Sequence, residues 1–278
     1  MSEGRTMGQR LGPGVVLAVA SLAGLGAFFY PFLLPVVAPA TQDRARAGEA
    51  PFVLAAITVA CLAAIAVELS SPTAGTSASK TVALLGVLVA TDATLRLAPS
   101  VLGASPIFLL ILLVGHVFGP SFGFQMGALT LLLSAFLTGG IGPWLPYQML
   151  GAGWVGLTAG LLPRPQRPRS RLLLLALFGA AWGFLYGALL NLWSWPFSAP
   201  GLATDAGLYW SPNLSGRETL ARYAHFYLVT SLGYDLFRAA GNLVLVLVLG
   251  GPLLRVLDRF HARFTWTPWH EVAPGSHP

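Results

Sequence analysis

The amino-acid sequence predicts an all-α integral membrane protein with eight transmembrane helices. Only 16 Lys and Arg and 10 Asp and Glu occur among its 278 residues, whereas soluble domains carry about a quarter charged residues. The mean hydropathy is +0.70, and the apolar runs are continuous and about as long as a bilayer is thick. A transmembrane β-barrel would instead show short alternating strands, so these observations favour helices.

Eight apolar segments are long enough to be transmembrane helices. They lie at 13–38, 51–69, 80–97, 101–118, 120–138, 143–162, 171–193 and 223–250. Segment 101–118 is the least well bounded, because Pro106 and the pair Gly119-Pro120 bracket its apolar part and helices usually end before a proline. Without it, seven helices would remain. The first segment follows two arginines as in a signal peptide, but it is too long and prolines follow it in place of a cleavage site.

Positive charges are sorted to one side of these segments. If eight segments cross the membrane, ten cations share the side of both termini: Arg5, Arg10, Lys80, Arg164, Arg167, Arg169, Arg171, Arg255, Arg259 and Arg263. Four lie on the other side: Arg44, Arg46, Arg217 and Arg222. Cytoplasmic loops of membrane proteins carry the excess of Lys and Arg, so both termini are predicted to be cytoplasmic.

The stretch before Lys80 looks superficially like a phosphate-binding loop, since Lys80-Thr81 follow small residues. That loop needs glycines where Ala74 and Ser79 stand, and without them the backbone cannot wrap closely around a phosphate. The chain is therefore predicted to bind no ATP, and any ATPase would be a separate polypeptide.

A glycine-rich turn and its aromatic neighbours form the first candidate ligand site. The run 138–154 delivers Trp144, Tyr147 and Gln148 to the predicted extracellular ends of two helices. A second aromatic cluster lies at the end of the next helix and in the long loop 194–222 that follows it. It contains Asn191, Trp193, Trp195, Tyr209 and Trp210. Rigid aromatic rings with a few amides suit a neutral or amphipathic organic ligand, and a long loop rich in aromatic residues is typical of a lid. An interfacial aromatic belt is the alternative.

Polar residues also interrupt the third and last predicted helices. They are Asp92 and Arg96 in one helix, and Asp235, Arg238 and Asn242 in the other. The acid and base of each helix are three or four residues apart and can pair on one face. A structural network joining the two helices is favoured over a ligand or coupling role. His116 has no Asp, Glu or Cys at ligand spacing, so no metal site is predicted.

Small residues recur at helical spacing in several segments, which lets helix backbones approach closely in lipid. In 120–138, 143–162 and 171–193 the glycines predict packing within the bundle. In 80–97, Ala83, Gly86 and Ala90 are instead the candidate surface for another membrane subunit.

The segment 118–162 contains three motifs in order: a GP-x-x-G-x-x-x-G helix start, a GG-x-GPW turn and a Gln-Met helix. The residues that form them are Gly119, Pro120, Gly123, Gly127, Gly139, Gly140, Gly142, Pro143, Trp144, Gln148 and Met149. In this order of motifs the segment resembles the substrate-specific S components of energy-coupling factor (ECF) type ABC importers. The run 233–242 is similar to the family's last helix. The resemblance implies a six-helix substrate-binding core at 80–252, after an extension at 1–79 with two transmembrane helices and before a cytoplasmic tail at 253–278.

This resemblance implies a vitamin-binding subunit of the bacterial plasma membrane that is not an enzyme and has no cofactor of its own. Such a subunit captures its ligand outside and docks on a transmembrane T component driven by two cytoplasmic ATPases. The face formed by Ala83, Gly86 and Ala90 corresponds to the surface that meets the T component.

The extra N-terminal helices and the composition rich in arginine and glycine are most similar to members assigned to cobalamin or corrinoid uptake. Riboflavin, a thiamine precursor and biotin are the alternative ligands. An integral-membrane enzyme or assembly factor using Asp92, Asp235 and Arg238 is the alternative from another class.

Overall fold

The computed structural model describes residues 4–29, 75–98, 104–197, 207–210 and 214–264, with scattered residues between 52 and 63. Its regular elements in these ranges are α1 (Gly4–Phe29), α2 (Gly75–Leu95), α3 (Ile107–Phe118), α4 (Pro120–Thr138), α5 (Leu145–Gly160), α6 (Pro168–Ser194), a 3-10 turn (Trp195–Phe197), α7 (Gly216–Thr230) and α8 (Leu232–Phe264). The all-α class is therefore confirmed for the described part of the chain.

Three described helices are long and apolar enough to cross a membrane, namely Pro120–Thr138, Pro168–Ser194 and Leu232–Arg263. Leu17–Phe29 and Ile107–Phe118 are shorter apolar helices. Most of the second predicted helix, 51–69, lies outside the described residues, with only scattered helical residues between 52 and 63 described. The total of eight transmembrane helices therefore stays a prediction.

The short helix α3 lies at the centre of the bundle. It has 12 residues, and all but its last residue are buried against α4, α5 and α8. It begins at Ile107, after Pro106, so the predicted start at 101 is too early. Because this helix is surrounded by protein on every side, all its faces are apolar, and this explains why so short a segment is so hydrophobic.

Helices α4 and α5 form an antiparallel hairpin held by glycines. Gly123 and Gly156 face each other so closely that a Cβ on either would overlap the carbonyl of the other. Gly127 lies against the carbonyl of Ala152 in the same way. The hairpin turns at Gly139, which ends α4 in the left-handed conformation that glycine adopts most easily. Packing within the bundle, predicted from the glycine spacing, is confirmed here.

Helices α6 and α8 form a second antiparallel pair. Glycines along α6 lie against a row of α8 residues that includes polar side chains. Gly183 lies against the backbone of Ala239, and Gly187 lies against the Asp235 carboxylate. Asn242 Nδ2 donates to the carbonyl oxygen of Gly179 at 2.9 Å. Helix α8 continues to Phe264, so the first part of the predicted tail at 253–278 is helical.

Helix α7 corrects the prediction of a long loop at 194–222 followed by a single helix at 223–250. Ser215 and Glu218 form a capping box, in which Glu218 N donates to Ser215 Oγ at 3.3 Å and Ser215 N donates to Glu218 Oε2 at 2.9 Å. Hydrogen bonds from the Ser215 side chain and backbone lower the pKa of Glu218. The box starts α7 at Gly216, and Ser231 separates it from α8. The S-x-x-E signal was present in the sequence, but the surrounding aromatic residues favoured a loop.

The first helix, α1, packs on the core. Phe28 is fully buried and makes an edge-to-face contact with Tyr147 at 5.2 Å between ring centroids. Trp154 Nε1 donates to Ser21 Oγ at 3.1 Å. Helix α1 therefore supports the helix that carries Gln148.

Candidate functional site

Polar side chains from three helices meet at one end of the bundle, here called the Gln148 end. It comprises the C-terminal ends of α2, α4 and α6 and the N-terminal ends of α5 and α8. Arg96, just after α2, donates from Nη1 to Ser134 Oγ at 2.8 Å and from Nη2 to Gln148 Oε1 at 3.3 Å. This arrangement holds a guanidinium and an amide side by side among apolar helices, where they can offer donors and an acceptor to a ligand.

Residues of the two predicted aromatic clusters contact each other at the same end of the bundle. Tyr147 and Trp193 stack with their ring centroids 4.2 Å apart, and both are buried. Phe28 closes the cluster from α1 and also contacts Trp154 at 5.5 Å. Two of the predicted ligand-binding residues, Tyr147 and Trp193, are thus brought together, but their rings are covered by protein.

A separate aromatic group around Trp195 joins the segment 207–210 to α7. Trp195 is buried, donates from Nε1 to the Leu208 carbonyl at 2.8 Å, and contacts Tyr223 at 5.3 Å. Arg222 donates to the Tyr209 carbonyl at 3.3 Å. Trp210 is half-buried at the end of this segment. Trp195 therefore has a supporting position, whereas Tyr209 and Trp210 lie nearer the surface.

Trp144 and Asn191 are the remaining predicted ligand-binding residues. Trp144 is 46% exposed, and its Nε1 donates to the Gly140 carbonyl at 3.3 Å. Its ring lies over Gly142, which leaves no room for a Cβ there. Asn191 is half-buried in the last turn of α6, where its carbonyl accepts from Ser194 Oγ at 3.2 Å. Both residues offer accessible surface at the Gln148 end.

The acid and base of α8 form an ion pair, as their spacing predicts, in which Asp235 is buried and Arg238 is partly buried. The Arg238 guanidinium donates to Asp235 Oδ1, and Tyr227 donates its hydroxyl to Oδ2 at 2.8 Å. Arg238 also donates to the Gly183 carbonyl at 3.2 Å. With Asn242 on Gly179, this group fastens α8 to α6. Within the described residues the polar side chains of α8 bind to α6 and to Tyr227 of α7, and a network joining the helices at 80–97 and 223–250 stays a prediction.

The predicted pairing of Asp92 with Arg96 is absent. Asp92 is fully buried, and neither of its carboxylate oxygens has a hydrogen-bond partner in the described part of the chain. The buried hydroxyl of Thr130 on α4 faces this carboxylate. Arg96 instead reaches across to α4 and α5, because Ser134 and Gln148 provide acceptors there.

Tyr186 lies between the Arg96–Gln148 group and the Asp235–Arg238 group. It was not among the site residues predicted from the sequence. Its hydroxyl lies 3.5 Å from the carbonyl oxygen of Gln148, and the Arg238 guanidinium lies over its ring at 5.6 Å. Ser134 and Tyr227 were missed as well. Thr130 and Ser134 are four residues apart in an apolar helix, as are Tyr223 and Tyr227 in α7, and this spacing was the available signal.

Residues with metal-binding side chains do not gather among the described residues, where no group of three His, Cys, Asp or Glu could hold an ion. His116 is fully buried in the last turn of α3. It lies at the other end of the bundle from Gln148.

The small-residue face of α2 is open. Ala83, Gly86 and Ala90 are exposed, and a Cβ added to Gly86 would meet nothing within 4 Å. Beside them, an apolar groove of about 260 Å³ runs between α2 and α4, lined among others by Val89 and Phe136. The small side chains leave the backbone of α2 open to close approach at this face.

Comparison with known proteins identifies the family of the chain. The family model described as "ECF transporter, substrate-specific component" matches residues 80–250, which is more than half of the chain. Neither the curated proteins nor the solved structures contain a match. Proteins of this family are membrane-embedded transport subunits and not enzymes. The chain belongs to the substrate-specific component family of ECF transporters.

Proposed function

We propose that this protein captures a vitamin outside the cell and delivers it inward with a T component and two ATPases. The observation that carries the proposal is the polar group of Arg96, Ser134 and Gln148, which joins three helices at one end of the bundle. Ionisable residues inside membrane proteins are expensive to bury and are usually functional. The proposed location is a bacterial plasma membrane with both termini cytoplasmic, supported by the arginine asymmetry.

The accessible residues of the Gln148 end are proposed to contact the ligand. Arg96 and Gln148 would provide hydrogen bonds, while Trp144, Tyr209 and Trp210 would provide aromatic surface. Asn191 would add a further amide. The buried Tyr147, Trp193 and Trp195 would hold these residues in place, since rigid aromatic packing fixes the elements that carry them.

Cobalamin or a related corrinoid is the first ligand proposed, followed by riboflavin, a thiamine precursor and biotin. Support for cobalamin comes from the N-terminal extension and the composition, which the resemblance associates with corrinoid uptake. Mass spectrometry of the small molecule that co-purifies with the protein would identify the ligand directly.

Equilibrium binding without ATP tests both the function and the site. We expect one of the four vitamins to bind the purified chain, and Gln148→Ala to weaken that binding about tenfold, because one hydrogen bond and the position of Arg96 are lost. Gln166→Ala, an exposed glutamine at the opposite end, is the matched control and should bind as the wild type. Failure of all four vitamins to bind, or equal affinity of the two variants, would contradict the proposal.

The exposed face of α2 is proposed to meet the T component. Gly86→Leu would fill the space that a partner helix needs, so recovery of the assembled complex is expected to fall roughly tenfold, as overpacked interfaces lose about 1–3 kcal/mol. Gly251→Leu, at another glycine with nothing within 4 Å of an added Cβ, is the control. Co-purification with the T component measures the effect. Vitamin binding by the isolated Gly86→Leu protein should be unchanged, and a complex as abundant as that of the control would refute this interface.

A further inference from the structure

A polar cavity of about 260 Å³ lies at the opposite end of the bundle, here called the Arg164 end. This end comprises the C-terminal ends of α3, α5 and α8 and the N-terminal end of α6. Arg164, Gln166, Arg171, Asp258 and His261 contribute the polar part of the cavity wall. None of them takes part in the proposed vitamin site.

The charges around this cavity do not cancel. Both terminal nitrogens of Arg171 donate to the Asp258 carboxylate, at 2.6 and 3.0 Å, so this pair is close to neutral. Arg164 uses one nitrogen to donate to the Val117 carbonyl at 3.1 Å and has no carboxylate partner among the described residues. Its positive charge is therefore in excess at the cavity.

The walls of the cavity are fixed by packing. The bidentate ion pair between Arg171 and Asp258 joins the start of α6 to the end of α8. The His261 ring lies edge-on to Phe118, with centroids 5.3 Å apart, and Phe118 stacks on Phe122. Helix α6 begins at Pro168, so the positive end of its dipole lies at the same end of the bundle. An anion would thus meet donors that are already in place.

We propose that this cavity binds a phosphate group, carried by an anionic phospholipid headgroup or by free phosphate. The planar fork of an arginine matches phosphate oxygens, and basic pockets between transmembrane helices on the cytoplasmic side bind anionic headgroups. The positive-inside prediction places the Arg164 end on that side. Bound phosphate would bridge the loop between α5 and α6 to the end of α8.

Native mass spectrometry of the full chain in lipid nanodiscs tests the site. In phosphatidylcholine nanodiscs containing a minor fraction of phosphatidylglycerol, we expect the wild type to retain phosphatidylglycerol. Arg164→Gln should bind it roughly tenfold less tightly, because one charge-assisted hydrogen-bond donor is lost. Arg167→Gln removes an exposed arginine from the same loop but outside the cavity wall, and it should retain the lipid.

A second arm separates the two sources of phosphate. Inorganic phosphate added to the protein in pure phosphatidylcholine nanodiscs should raise the melting temperature of the wild type, and not of Arg164→Gln, if free phosphate is a ligand. If only phosphatidylglycerol is retained, the headgroup is the ligand. Equal loss of lipid in Arg164→Gln and Arg167→Gln, or no binding of either probe, would overturn the proposal.

A variant that is expected to bind the lipid more tightly tests whether misfolding explains the loss of binding in Arg164→Gln. Asp258→Asn removes the single acid from the cavity wall and frees Arg171, so phosphatidylglycerol binding should become tighter, measured on protein that elutes as a single folded species. Unchanged or weaker binding in Asp258→Asn would contradict an anion site.

Discussion

Asp235→Asn is expected to destabilise the folded protein by about 3 kcal/mol, the lower end of the range for removing one partner from a buried ion pair, because Asp235 is buried and Arg238 is partly buried. The substitution leaves the Arg238 guanidinium with no acid among the described residues, and its neighbours are then neutral groups: the Asn amide oxygen, the Gly183 carbonyl and the face of Tyr186. It also replaces the acceptor of the Tyr227 hydroxyl. Denaturant titration of the purified protein in detergent measures the loss.

Two further variants separate this effect from a general sensitivity to charge loss. Asp235→Asn combined with Arg238→Gln removes both charges and should recover most of the lost stability. Asp258→Asn breaks the Arg171–Asp258 ion pair, whose acid side chain is 46% exposed, and should cost no more than about 1 kcal/mol. If Asp235→Asn melts like the wild type but no longer transports or binds a vitamin, Asp235 has a direct functional role and the structural interpretation is wrong.

Long apolar segments made most of the helices predictable, because hydrophobic length alone defines a transmembrane helix. The predicted segment 120–138 coincides with α4, and 171–193 differs from α6 by a few residues. Helix α7 was not predictable from hydropathy, since its composition is mixed and only the Ser215 capping box signals its start. The start of α3 was misplaced because apolar residues also precede Pro106.

The site was only partly predictable, because spacing along one helix shows which residues share a face but not which neighbouring helix that face meets. The pair Asp235–Arg238 lies within one turn of α8, so the sequence could indicate it. Arg96 and Gln148 are 52 positions apart, and their contact depends on how α2, α4 and α5 pack. For the same reason Asp92 and Arg96 could have paired but do not.

Asp92 shows that helix packing can bury a carboxylate at a cost in stability, and the sequence alone does not reveal this cost. Its carboxylate is fully buried beside Thr130, one helical turn below the Arg96 and Ser134 contact. A buried polar group without a hydrogen bond lowers stability, so a fold usually retains one only where it serves a purpose. Asp92 therefore places a buried carboxylate next to the proposed vitamin site.

Gly156→Ala is expected to destabilise the protein by about 3 kcal/mol or more, at the upper end of the range for overpacked cores. The added methyl group would overlap the carbonyl of Gly123, and backbone atoms cannot move aside as a flexible side chain can. The helices α4 and α5 would have to separate, which would move Ser134 away from Gln148 and break the two contacts of Arg96. Vitamin affinity should therefore fall together with the melting temperature.

Gly251→Ala supplies the matched control for this prediction, because an added Cβ there meets nothing within 4 Å. Alanine favours a helix over glycine by about 0.5–1 kcal/mol, so this variant should melt at the same temperature as the wild type or slightly above it. Thermal unfolding of the two variants in the same detergent compares them directly. A Gly156→Ala protein as stable as Gly251→Ala would show that α4 and α5 can separate without loss, and that their glycines do not determine the geometry of the Gln148 end.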